Sequence, residues 1–287
     1  MPEAWLRITV TSPSDELTPL VAEGLVASGG SAVEEKGKEL STYLPVDGSA
    51  DSQAAEVAAA LRDVTGDELA VRWEVVPAQD WLAIWRSGLA PRRVGPRLIV
   101  APSRTTPTSG PGDILIRIDP QMAFGTGEHA STRGVLRLLQ RLLLSDVRLL
   151  DVGTGSAILA IAAARLGARH VVAVESDGDA IDNAQQNVVA NGVAERVAIV
   201  HGLVDDGFLK AYGGGAFDGI TANVLSGVLQ PLLPSFHCAL RTDGWLILAG
   251  ILLEEAEAIR AAAAENGFFV EANDVEEQWW SGILRRL

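Results

Sequence analysis

Leu149-Leu150-Asp151-Val152-Gly153-Thr154-Gly155-Ser156-Ala157 reads as a buried strand, a glycine turn and the first residues of a helix. Glycines at 153 and 155 let the backbone bend sharply and let a ligand come close to the main chain. The helix that follows offers free N–H groups and the positive end of its dipole, a place for a carboxylate or a phosphate. Dinucleotide-binding folds use the same device, so the turn alone leaves two ligand classes open. Their fingerprint has a third glycine three residues after the second; here that position is Ile158. In its place an acid, Asp151, stands directly before the turn.

The next strand, His170–Val174, ends in Glu175, 22 residues past Gly153. A carboxylate there can accept both hydroxyls of a ribose, although a solvated strand-end acid is the plainer alternative. S-adenosylmethionine has a ribose and no pyrophosphate, and its methionine end carries an ammonium and a carboxylate. Asp151 near the ammonium and the helix N-terminus near the carboxylate would match it.

Around this unit the chain alternates between short apolar strands and helices. Apolar runs at 147–152, 170–174, 196–200, 217–222 and 245–249 are separated by helical stretches near 129–144, 156–166, 177–190, 224–240 and 253–266. Such alternation predicts a mostly parallel sheet covered on both faces. Phe268–Val275 and Gln278–Leu284 follow as an expected antiparallel hairpin. That ending is unusual for a dinucleotide-binding fold and usual for class I methyltransferases. Before this region, residues 4–76 carry signals in the order β-α-β-β-α-β, the split pattern of a small ferredoxin-like α+β domain. Asp80–Leu89 is expected to form a short helix with Trp81 and Trp85 as core anchors, followed by Arg92, Arg93 and Arg97 and a Pro/Ser/Thr/Gly-rich loop at 102–112. The predicted organisation is a substrate-recognition domain over 1–77, a connector helix and strands over 78–118, and a Rossmann-like domain over 119–287.

Composition narrows the setting. The 287 residues are 48% hydrophobic and 21% charged, as expected of a globular protein. No run of eighteen apolar residues and no signal-like N-terminus are visible, so neither membrane span nor secretion is predicted, and the cytoplasm is the expected compartment. Cys238 is the only cysteine, and no histidine pair has metal-ligand spacing, so no metal site is expected. The net charge of −14 divides as −9 over 1–77, +4 over 78–118 and −9 over 119–287. An acidic surface disfavours direct nucleic-acid binding. It suits a basic protein partner, or serves solubility alone.

Upstream of the turn lies Asp119-Pro120-Gln121-Met122-Ala123-Phe124-Gly125-Thr126-Gly127-Glu128-His129-Ala130-Ser131-Thr132. This run, with the glycine turn, Asn223-Val224-Leu225 and Ala249-Gly250-Ile251-Leu252, resembles the PrmA family of ribosomal-protein methyltransferases. The likeness is dense over 119–252 and sparse before 77. It implies S-adenosylmethionine as cofactor and a basic ribosomal protein, protein eleven of the large subunit, as substrate. The acceptors it implies are lysine side-chain amines, with N-terminal amines left open. By position it places cofactor contacts on Thr132, Gly153, Glu175 and Asn223; Asp151 and Gly155 join them from the turn. Ala157 departs from the family's glycine, Glu175 from its commoner aspartate and Gln121-Met122 from its Gly-Leu.

Asn223 follows a buried-looking strand, 217–222, that would deliver it to the sheet's ligand-binding edge. Methyltransferases acting on flat nitrogens resemble one another in an Asn-Pro-Pro-aromatic run at this point. Here the run is Asn223-Val224-Leu225-Ser226, without prolines or a ring, which favours a tetrahedral amine acceptor. Asn223 is thus the candidate catalytic residue, its alternative being a plain helix N-cap. His129 reads as a loop-fixing residue rather than a base, in a Phe124–His129 loop freed by the glycines beside Thr126. The competing readings are a methyltransferase on another protein lysine or an RNA base, a nicotinamide-dependent oxidoreductase, and a non-catalytic binding module.

Overall fold

The computed structural model describes residues 4–30, 33–77, 89–119, 124–212 and 214–287, arranged as two compact units, Met1–Trp85 and Arg86–Leu287. Apart from Leu89, the tryptophan helix expected at 80–89 lies outside the described residues, as do Gln121 and Met122.

In the first unit the order is β1 (Ala4–Thr11), α1 (Thr18–Ala27), β2 (Val33–Lys36), β3 (Glu39–Pro45), α2 (Ala50–Thr65) and β4 (Val71–Pro77). The four strands form one antiparallel sheet in the order β2-β3-β1-β4. Alternation along β1 decides which side is covered. Leu6, Ile8 and Val10 are fully buried and cluster with Val21 and Leu25 of α1 and Leu61 of α2. Arg7 and Thr9 take the other side, where Arg7 pairs with Glu74 at 3.1 Å and the Thr9 and Ser41 hydroxyls meet at 3.0 Å.

The second unit opens with β5 (Arg92–Val94), β6 (Leu98–Ala101) and β7 (Ile114–Arg117), a small three-stranded sheet. Then come α3 (Ala130–Leu139), β8 (Arg148–Val152), α4 (Ile158–Leu166), β9 (His170–Glu175), α5 (Gly178–Ala190), β10 (Val197–His201) and α6 (Asp206–Tyr212). The unit ends with β11 (Phe217–Asn223), α7 (Ser226–Ala239), β12 (Leu240–Leu252), α8 (Ala256–Glu265), β13 (Phe268–Glu276) and β14 (Trp279–Arg286). Its seven-stranded sheet has the order β10-β9-β8-β11-β12-β14-β13. β8 to β12 are mutually parallel, and β14 runs antiparallel to both of its neighbours. Neighbouring residues of β8 feed opposite cores, Leu149 packing with Ile161, Val171 and Ile283, and Leu150 with Val172, Phe236 and Leu246. Burial on both faces accounts for the continuous apolar runs. The small sheet joins the first of these cores through Val94, Leu98, Val100 and Ile116.

Three local details differ from expectation. Helix α3 stops at Leu139 because Gln140 turns aside: its amide nitrogen, Nε2, donates to Leu136 O and Val94 O, and its Oε1 accepts from Arg97 N. Strand β12 starts at Leu240, its polar residues Arg241–Asp243 having masked the extension. The seven-residue α6 is too short to show a period.

Strand order reverses between β8 and β11, and open sheets of this kind bind ligands at the carboxyl ends of strands on either side of such a point. Asp151, Glu175 and Asn223 all stand at those ends. No helix among the described residues is long and apolar enough to cross a membrane.

Candidate active site

The glycine turn is built from beneath by Asp151. Its side chain is 0% exposed; Oδ1 accepts from Thr221 Oγ1 at 2.6 Å and Oδ2 from Thr154 Oγ1 at 2.5 Å, with the Ala160 backbone N–H at the start of α4 as a further donor. Burial pushes its carboxyl up to about 6, against the pull of those donors. The raised value means that this group's stabilising effect is full below its ordinary pKa of 3.8 and is lost as pH rises through about 6. At neutral pH the ionised carboxylate therefore costs the fold stability, a sign of a site tuned for something other than stability.

The residues expected to meet the ligand differ in exposure. Asp151 lies a layer below the surface and has no exposed atom to meet an ammonium. The N-terminus of α4 is answered from inside, by Asp151 and by the Phe124 carbonyl, which accepts from Ser156 N at 2.9 Å. Thr132 is likewise fully buried; its Oγ1 accepts from Asn223 Nδ2 at 3.4 Å, so it supports Asn223 from behind.

Glu175 clasps two loops together. Its Oε2 accepts from Gly155 N at 2.7 Å, and its Oε1 from Ser176 N at 2.8 Å and Asp177 N at 3.0 Å. The carboxylate is only half-buried, and with both Oε1 lone pairs taken, Oε2 keeps one for a ligand's hydroxyl. Gly155 has φ +54°, and a Cβ on it would sit 2.5 Å from the Phe124 carbonyl oxygen, so the turn and the Phe124–His129 loop touch through backbone. Ser156 Oγ adds a bond to Gly125 O at 2.5 Å. The loop's other end is held by Glu128, which pairs with Arg92 at 2.9 Å.

His129 caps α3 through Nδ1, which accepts from Ser131 N at 3.3 Å and meets Ser131 Oγ at 2.7 Å. Its ring stands edge-on between Phe124 (5.3 Å) and Trp279 (4.6 Å). Burial first, then Arg133, pushes its pKa below the usual 6.5, in keeping with a neutral, structural ring.

Asn223 ends β11, and helix α7 is capped at Leu225 with no side-chain bond, so the plain N-cap alternative is not what the residue does. With Nδ2 turned to Thr132, its Oδ1 is buried and has no hydrogen-bond partner. A buried acceptor left bare costs about 1–3 kcal/mol, and Asn223 is one of the residues lining a cavity of about 230 Å³, with Phe124, His129, Val224, Leu225, Gly250 and Trp279. Gly250 (φ +79°) marks a break in the β12–β14 register, and a Cβ there would lie 2.6 Å from the Val224 carbonyl. The bulge thus presses the acceptor segment against the sheet edge. Phe124, Trp279, Thr154, Thr221 and Gly250 were not named by sequence reasoning as site residues. The only sequence signal for Trp279 was its place at a hairpin turn, and Thr221 lay inside an apolar strand.

What the site offers at its surface is the half-buried Glu175 carboxylate, with the Asn223 oxygen as a further acceptor buried behind the cavity wall. That set fits a ligand bearing hydroxyls and positive charge, as S-adenosylmethionine does, and would leave a pyrophosphate without the donors it needs. Sheet order, terminal hairpin, glycine turn and acceptor set together define an S-adenosylmethionine-dependent methyltransferase. The family model of "Ribosomal protein L11 methyltransferase (PrmA)" matches residues 15–286. Curated relatives of that name include one from Pelotomaculum thermopropionicum, 35% identical with 96% of each chain covered. Another, from Pelobacter propionicus, is 33% identical over 100% of this chain and 99% of its own. A crystal structure of ribosomal protein L11 methylase from Lactobacillus delbrueckii subsp. bulgaricus superposes with a TM-score of 0.61 at 30% identity, covering 69% of this chain and all of that one. The chain belongs to the ribosomal protein L11 methyltransferase (PrmA) family. It is an enzyme, and S-adenosylmethionine is its cofactor.

Proposed function

We propose that the enzyme methylates lysine side-chain amines, and N-terminal amines where they reach the site, of the large-subunit ribosomal protein L11. The observation that carries this reading is the bare Asn223 Oδ1 beside an apolar cavity: an amine N–H is the donor it lacks, and nothing flat is needed to fill the space. When bound, the cofactor supplies an electrophilic methyl group on a sulfonium. Glu175 and the backbone of Gly153 and Gly155 hold it, while Asp151 and Thr132 act indirectly, fixing the turn and the asparagine. Asn223 is the catalytic residue, orienting the amine by accepting from it.

A lysine with pKa about 10.4 must give up roughly 4 kcal/mol to be neutral near pH 7.4. Alignment in a dry site can supply roughly 7–11 kcal/mol, so no dedicated base is required. His129, capping α3 and shielded by two rings, is not assigned that task.

The β-α-β-β-α-β order and β2-β3-β1-β4 sheet of the first unit support a ferredoxin-like module. In this reading, residues 1–77 recognise the ribosomal protein, 78–118 connect, and 119–287 perform the transfer, in the cytoplasm and without direct contact to nucleic acid. Transfer of labelled methyl from S-adenosylmethionine to L11 in a fractionated ribosomal-protein mixture tests the whole. Label appearing only in other proteins or in RNA would sink it.

Two expected results probe its parts. Glu175→Ala should weaken cofactor binding by at least about ten-fold, since a charge-assisted hydrogen bond goes with it. Unchanged affinity by calorimetry in the folded variant would remove Glu175 from the contact set. A chain beginning at Pro77 should bind the cofactor as the intact protein does and transfer nothing to L11; full activity would refute the division of labour.

A further inference from the structure

Beside the acceptor cavity lies a second, larger hollow of about 360 Å³, and the two share Leu225, Gly250 and Trp279 as walls. Its surface is apolar nearly throughout, with Val228 and Leu252 completing the sides. Leu225 is 69% exposed, so the partition between the two hollows is itself a greasy, open ridge. One charged group lines it, Glu255 at the start of α8.

Glu255 is half-buried and held rigidly. Its Oε1 accepts from Ser226 Oγ at 2.7 Å and its Oε2 from Leu252 N at 3.0 Å. Those two donors hold its pKa below the usual carboxylate value, so it is ionised throughout the physiological range. Each oxygen still has a lone pair to spare, and no cation pairs with it among the described residues. A fixed anion in the wall of an apolar hollow matches one kind of side chain, a long methylene stem with a cationic head.

We infer that this hollow is a subsite for a lysine or arginine next to the amine being methylated, its stem lying on Val228, Leu252 and Trp279 and its head on Glu255. The inference rests on the proposed function and names a sequence preference within that substrate. A neighbouring side chain is the natural occupant because the hollow adjoins the acceptor cavity, with Leu225, Gly250 and Trp279 as common walls. The charge of the substrate's other surfaces does not enter, since Glu255 is the hollow's one ionic group. The same carboxylate also ties the start of α7 to the end of β12, so the test must separate charge from clamp.

Glu255→Gln does so. The amide oxygen can still accept from Leu252 N and the amide nitrogen can donate to Ser226 Oγ, whose hydroxyl rotates. The experiment uses the intact enzyme with purified L11. Methylated positions are first mapped by mass spectrometry, and the lysines or arginines within about three residues of each are replaced by glutamine. On native L11, Glu255→Gln should lower kcat/KM by about ten-fold, as loss of a charge-assisted hydrogen bond does. The glutamine-flanked L11 should lose about as much with wild type, and the two changes together should cost no more than either alone. Equal losses for Glu255→Gln on both substrates would overturn the subsite and leave Glu255 as a clamp. A mapped acceptor with no basic neighbour would overturn it as well. Absence of any transfer to L11 by wild type would instead overturn the proposed function, and the subsite with it.

Discussion

Gly155→Val is expected to abolish measurable binding of S-adenosylmethionine while leaving the sheet assembled. The valine Cβ would stand 2.5 Å from the Phe124 carbonyl oxygen, a backbone atom that cannot swing aside as a side-chain tip can. It would also sit at φ +54°, where a β-branched residue is strained by roughly 1–3 kcal/mol. Relief requires the Phe124–His129 loop to lift, which breaks the Ser156 N to Phe124 O bond, or the turn to flatten, which pulls Gly155 N from Glu175. Either movement spoils the surface on which the cofactor lies. The expected loss is at least about 100-fold in affinity, the scale of a 1 Å misplacement. Isothermal calorimetry on a variant whose far-ultraviolet circular dichroism matches wild type is the measurement. An unchanged dissociation constant would mean that the turn is not where the ligand sits.

For Asn223→Ala the expected signature is the reverse: cofactor affinity within about three-fold of wild type and single-turnover transfer slower by about 100-fold. The bare Oδ1 is the reason. Because it has no partner within the protein, its removal costs the fold little, and its worth appears only when an amine N–H arrives. Raising pH from about 7 to 9 should speed wild type by up to about 100-fold, as the neutral fraction of a lysine with pKa near 10.4 grows ten-fold per unit. The variant should show the same slope from a lower starting rate, since alkali supplies the lone pair but not its alignment. Equal single-turnover rates at saturating cofactor would move amine positioning to another group.

The fold was readable wherever burial imposes a period. Strands buried on both faces had to be apolar runs, and helices lying on them had to be amphipathic, so β8 to β11 and α3 to α5 could be placed to within a few residues. The glycine turn and Glu175 were visible because their spacing along the chain is set by one strand and one helix. What lies across the sheet was not. Nothing in the sequence near Asp151 says that Thr221, 70 residues on, occupies its oxygen, and so its carboxylate looked free. Trp279 reaches the site through a hairpin whose neighbours in space are 150 residues away in sequence, close to His129. Glu255 reads as an ordinary acid ahead of a helix until Ser226 and Leu252 are seen to fix it.

The last-numbered strand of the sheet is not at its edge. β14 is seated between β12 and β13, and its hairpin is fastened to α3 by Arg133 on Glu276 at 2.8 Å and Arg137 on Asp274 at 2.8 Å, pairs 143 and 137 residues apart along the chain. Closing loops of that length precedes any reward from the contacts they make, which slows folding. The flank of β12 is covered only by residues 279–286, the last strand in chain order. The acceptor cavity is walled by Trp279 of that same strand. The strand that covers the flank of β12 is thus also the one that walls the acceptor cavity, so that the cover of the sheet and the place for substrate are completed by the same residues.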